Sequence, residues 1–97
     1  MIYNLIPSKF FLKQLDLLSS KSLKIVESKL LLLKSNPFRF KRIVGQDIVL
    51  FRIRFSELNK DKRIIYLVDG NKIKVLCILD RKNNYSDLKN YLLKCSY

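Results

Sequence analysis

The apolar residues of this chain change their spacing once, at Asn36-Pro37, and that change limits the fold more than any other feature. Before it, Phe11, Leu15 and Leu18 stand at i, i+4 and i+7, and Leu23, Val26, Leu30 and Leu33 follow at steps of three and four. After it, Val49, Phe51, Ile53 and Phe55 alternate with Leu50, Arg52 and Arg54. Steps of three and four lay apolar side chains on one face of a helix, whereas a step of two lays them on one face of a strand. Helices first and strands second predict an α+β arrangement, with the apolar strand face turned towards the helices. The 97 residues suffice for one modest core, so residues 1–97 are expected to form a single domain.

The punctuation divides this plan into elements. Ile2 to Ile6 reads as a short first strand, and Pro7 suits the first turn of a helix, where its missing N–H would be unpaired anyway. Ser19 and Ser20 interrupt the first helix and offer an N-cap to the second. So short a link predicts antiparallel helices, with Lys24, Lys29 and Lys34 on the solvated side. Asn36-Pro37 stops the second helix, because the residue before proline is pushed out of the helical region. A polar turn is expected at Asn59 to Lys62, a strand at Arg63 to Val68, a type I′ hairpin at Asp69-Gly70 and a returning strand at Lys72 to Leu79. Strict alternation turns Ile73, Val75, Cys77 and Leu79 towards the helices and Leu76 and Ile78 away from them. The outer face is then partly apolar and requires a cover. Either a short C-terminal helix, capped by Asn84 with Asp87 three residues on and striped by Leu88, Tyr91, Leu92 and Cys95, or a partner protein would supply it.

Charge bears on partners. Twenty Lys and Arg face eight Asp and Glu, a formal net charge of +12, which repels itself in a compact monomer and attracts polyanions. An apolar fraction of 48% excludes a disordered basic tail, since so much apolar surface can offset the entropy of ordering. There is no histidine, and Cys77 and Cys95 lack the spacing of zinc ligands, so both read as small buried residues in a reducing compartment. Gly45 and Gly70, the only glycines, read as turns and leave no glycine-rich loop to cradle a phosphate. The apolar opening is too short for a signal-peptide core, and Leu30 to Leu33 lies between lysines, far short of a membrane span. A cytoplasmic protein with no membrane partner is expected.

Three basic and aromatic stretches remain: Phe51-Arg52-Ile53-Arg54-Phe55, Arg63-Ile64-Ile65-Tyr66 and Asp80-Arg81-Lys82-Asn83-Asn84-Tyr85. Arg52 and Arg54, two apart on a strand, project to one face about 7 Å from each other, a spacing suited to neighbouring phosphate oxygens. Arg63 joins them if its strand pairs antiparallel with theirs. Arg81 and Tyr85 fall where the last strand gives way to the terminal helix. The plainer alternative is that these side chains only solubilise a sheet face, cap a strand end and pack at the rim of the core.

These stretches, together with Tyr3 to Leu15, Asn36-Pro37-Phe38 and Lys41-Arg42-Ile43, resemble the RelE/ParE toxins of prokaryotic toxin–antitoxin systems, specifically the RelE-like branch, from Tyr3 to about Leu92. The resemblance implies an α+β fold, an N-terminal strand and antiparallel helical hairpin on a curved antiparallel β-sheet with a short C-terminal helix. It also implies a metal- and cofactor-independent endoribonuclease that cleaves mRNA in the ribosomal A site through attack of a ribose 2′-OH on the adjacent phosphate. It implies as partners an acidic RelB-like antitoxin and the ribosome with its mRNA and rRNA. It also implies roles for residues: Arg52 and Arg54 near the nucleophile, Arg63 on the phosphate, Arg81 near the leaving group, and Tyr85 against a base. Asp80 stands where many relatives carry histidine, and arginine is a poor base, so the sequence favours charge stabilisation and positioning over acid–base catalysis. Leu50, Leu76, Ile78 and the helical hairpin are the expected antitoxin-docking surfaces. Two alternatives stay open: a ParE-like inhibitor of DNA gyrase, and an inactive basic RNA-binding homologue.

Overall fold

The structure, a computed structural model, describes residues 2–43 and 48–80. In chain order the elements are β1 (Asn4–Pro7), α1 (Lys9–Leu15), α2 (Ser20–Leu33), β2 (Lys41–Ile43), β3 (Leu50–Glu57), β4 (Lys60–Asp69) and β5 (Lys72–Asp80). They form one five-stranded sheet in the order β1-β5-β4-β3-β2, antiparallel except where β1 runs parallel to β5. The α+β plan expected from the spacing is the observed one. The terminal helix, with Asn84, Asp87, Leu88, Tyr91, Leu92 and Cys95, and the turn at Gly45 lie outside the described residues.

The helices cover one face of the sheet. Phe11 of α1 and Val26 and Leu33 of α2 pack on Phe51, Ile53 and Phe55 of β3, Ile64 and Tyr66 of β4, and Ile73, Val75 and Ile78 of β5. Ser19 caps α2 as expected, its hydroxyl accepting from the Ser22 N–H at 3.2 Å. No acidic residue lies in the first turn of α2. Buried Glu57, at the end of β3, supplies that charge instead, its Oε1 accepting from the Ser19 N–H at 3.4 Å and tying α2 to the sheet.

Four local expectations are corrected. Pro7 ends β1 opposite Val75 and does not open the helix; Ser8 is the N-cap, its Oγ accepting from the Phe11 N–H at 2.9 Å and donating to the Leu76 carbonyl at 2.6 Å. A proline on an edge strand costs the ladder little. The β3–β4 turn is Leu58-Asn59, both at positive φ, so β4 starts at Lys60, three residues before Arg63. The β4–β5 loop is Gly70-Asn71, where only Gly70 has positive φ (+61°), the type II′ pattern and not a type I′ turn on Asp69.

The fourth correction changes a whole strand. Ile65 pairs with Cys77 but its neighbour Tyr66 pairs with Val75, so Leu76 is an extra residue in β5, a β-bulge. Beyond it the alternation inverts. Cys77 and Leu79 join Leu76, Ile43, Leu50 and Ile65 in a second cluster on the face away from the helices, and Ile78 turns inward to the helices. Leu50 and Leu76 lie on the outer face as alternation expects, Ile78 lies on the helix face instead, and all three are buried.

Candidate nucleic-acid interface

The cations of β3 are fixed by strand register. Arg52 and Arg54 share the face away from the helices, and Arg54 stands directly opposite Arg63 on β4. Lys41, on β2, stands directly opposite Arg52. Facing side chains start about 5 Å apart, so two like-charged pairs sit side by side on one surface, an arrangement that destabilises a sheet unless an anion lies between them. Arg63 is only 6% exposed, Arg52 is half-buried and Arg54 is open to solvent. Charge held partly out of water acts on an incoming anion at a lower effective dielectric than charge on a free surface.

Lys29 of α2, Phe40, Lys41, Arg52 and Arg54 line a cleft of about 280 Å³ at the edge of the sheet where β2 begins. Arg52 keeps one guanidinium nitrogen, Nη1, buried and without a hydrogen-bond partner among the described residues. Such a group costs stability until an acceptor reaches it. Spacing alone places Lys29 on the solvated side of its helix with Lys24 and Lys34. The latter two are exposed, but Lys29 is half-buried on the cleft wall. The helical repeat contains the signal: Lys29 lies about 60° round the helix from Val26, on the flank of the apolar stripe rather than opposite it. Lys41 is the other addition. Its position depends on the β2–β3 register, which its own sequence does not reveal.

An aromatic cluster holds the segment leading into this cleft. Tyr66 stacks on Phe51 at 5.4 Å between ring centroids, and Phe38 meets Phe51 edge-on at 5.9 Å and Tyr3 at 6.3 Å. The fully buried Tyr66 hydroxyl donates to the Pro37 carbonyl at 2.6 Å, three residues before Phe40. Burial pushes the Tyr66 phenol well above its ordinary pKa, so it stays a donor at any physiological pH.

Asp80 is turned away from the cations. It pairs with Lys62 at 3.0 Å and lines a separate cavity with Gln14, Leu17, Leu18, Glu57 and Ile78, on the helix side of the sheet. Arg81 and Tyr85 lie outside the described residues. Among the described residues no three acidic or cysteine side chains come together as metal ligands, and no helix is long and apolar enough to cross a membrane.

No family model matches the sequence, and no curated protein matches it. Among solved structures the chain is similar to a mutant of the E. coli toxin RelE in the free state, with 19% sequence identity, 97% of each chain covered and a TM-score of 0.74. At that identity the likeness is one of architecture, and the architecture is the RelE fold.

Proposed function

We propose that this chain is the toxin of a type II toxin–antitoxin pair, a ribosome-dependent endoribonuclease that cuts mRNA in the A site and so stops translation. The observation that carries the proposal is the pairing of Arg54 with Arg63 beside the pairing of Lys41 with Arg52, on one face of a RelE fold. In the reaction the 2′ oxygen bonds to phosphorus as the bond to the 5′ oxygen breaks, leaving a cyclic phosphate. The 2′-OH gives up a proton and the 5′ oxygen takes one. Charge accumulates on the equatorial phosphate oxygens in between, and fixed guanidiniums aimed at that position stabilise the transition state more than the ground state. Arg52 and Arg54 would grip the nucleophile side and Arg63 the phosphate, with Arg81 at the leaving group and Tyr85 against a base, as the resemblance implies.

Arginine cannot take up the 2′-OH proton near neutral pH, and Asp80, ion-paired to Lys62 on the other side of the sheet, does not face the cationic pairs. The chain therefore contributes positioning and charge, and the ribosome supplies the in-line geometry, which can account for several kcal/mol of the barrier. An acidic antitoxin would neutralise by covering the cationic face, and both proteins would meet in the cytoplasm. A second reading, a gyrase inhibitor on the same fold, draws support from that same orientation of Asp80.

Expression of the chain in bacteria, with primer extension on an abundant message and a parallel assay of plasmid supercoiling, separates the two. Message cuts that track the reading frame, with supercoiling unchanged, are expected. Altered supercoiling over intact messages would transfer the assignment to gyrase.

A further inference from the structure

The cleft at the sheet edge contains more than phosphate chemistry. Its cations come from three elements: Lys29 from α2, Lys41 from β2, and Arg52 and Arg54 from β3. Phe40, between them, packs one side against the helix-face core and shows the rest to the cleft. The guanidinium of Arg39, itself exposed, lies over its ring, 5.7 Å from the centroid. A flat cation over an aromatic ring marks a face that accepts planar groups. Aromatic rings and arginine planes are the platforms on which proteins stack unpaired bases, and a basic groove alongside follows the backbone. Arg52, which lines the cleft, also keeps one guanidinium donor, Nη1, without a hydrogen-bond partner among the described residues.

We infer that this cleft is a single-nucleotide subsite for single-stranded RNA, with the base stacked on Phe40 and its phosphate held by Lys29, Lys41 and Arg52. The inference rests on the endoribonuclease reading for its biological substrate and extends it to a residue, Phe40, and a helix, α2, outside the cationic pairs of the sheet. A cleft of about 280 Å³ is at the small end of ligand pockets, enough for one nucleotide and not for a duplex. Stacking tolerates any base, so the subsite fixes the path of the message without reading its sequence.

The test measures binding of a short fluorescein-labelled oligoadenylate, an abasic oligomer of equal length and a polyglutamate peptide, over a series of salt concentrations that spans the physiological one. The proteins are the wild type, Phe40→Leu, which keeps apolar bulk but loses the ring, and Lys29→Gln, which keeps helix propensity but loses the charge. Thermal melts confirm that each variant is folded. Phe40→Leu is expected to weaken oligoadenylate binding about tenfold and leave abasic binding unchanged. Lys29→Gln is expected to weaken both oligomers alike and lower the salt slope by about one. Oligoadenylate bound equally by folded Phe40→Leu and wild type would overturn the stacking site, as would polyglutamate bound as tightly as RNA. If ribosome-bound message stays intact while base-dependent binding persists, the endoribonuclease reading fails and the subsite stands. Message cut by a wild type whose RNA binding ignores Phe40 would sink the subsite and leave the endoribonuclease reading in place.

Discussion

Arg54 and Arg63 face each other across a β ladder, and like charges directly opposite repel. Replacing the more exposed of the two, Arg54→Gln, should relieve repulsion and raise the stability of the isolated protein by a few tenths of a kcal/mol, up to about 1 kcal/mol. Melting curves at low and high salt check this, because a repulsion between charges shrinks as salt screens it. Tyr66 behaves in the opposite way, since its buried hydroxyl bond holds the segment after Pro37. Tyr66→Phe should cost about 1 kcal/mol, the net worth of a buried bond whose acceptor is left bare. The folded-state pKa of Tyr66 is raised above its unfolded value of 10.0, so the folded state keeps a proton that the unfolded state releases. The contribution is complete below pH 10 and disappears as pH rises beyond it, and the denaturant-melt gap between wild type and Tyr66→Phe should narrow on the alkaline side.

At the scale of elements, β5 shows what the sequence conceals. Val75-Leu76-Cys77-Ile78-Leu79 is apolar at every position because both faces of the strand are buried. Alternation carries no information in such a run, and a bulge at Leu76 that inverts the second half leaves no mark on composition. The Leu58-Asn59 turn is hidden for a different reason. Leucine at positive φ contradicts its own propensity, so the polar residues that follow look like the turn. What is legible follows from strong local physics: the change of period at Asn36-Pro37, the Ser19 cap, and the common face of Arg52 and Arg54. Past the bulge, α1 takes over from β1 along the edge of β5. The Gln14 side chain accepts from the Ile78 N–H at 2.6 Å and donates to the Ile78 carbonyl at 2.9 Å, as a neighbouring strand would. Gln14→Ala strips both groups of their partners and should destabilise the fold by about 1–3 kcal/mol, with earlier hydrogen exchange at Ile78.

The whole molecule joins a +12 charge to a fold whose sheet collects part of that charge on one face. Net charge alone says only that a polyanion is welcome. Register goes further: it aligns two cationic pairs side by side, and α2, tied down at Ser19 by Glu57, carries Lys29 to the same edge. The candidate site is therefore half legible in the sequence. Its strand residues follow from a two-residue repeat, whereas Lys29 and Lys41 require the packing of α2 and the pairing of β2, neither of which a single sequence displays. The most direct test of ribosome-dependent cleavage by this cationic face is single-turnover cutting of a defined message on purified ribosomes, by the wild type and by Arg54→Ala. Discrete A-site cuts by the wild type are expected, with a rate about a hundredfold or more lower for the variant. An intact message, or one cut equally fast by Arg54→Ala, would contradict the proposed role of the cationic face.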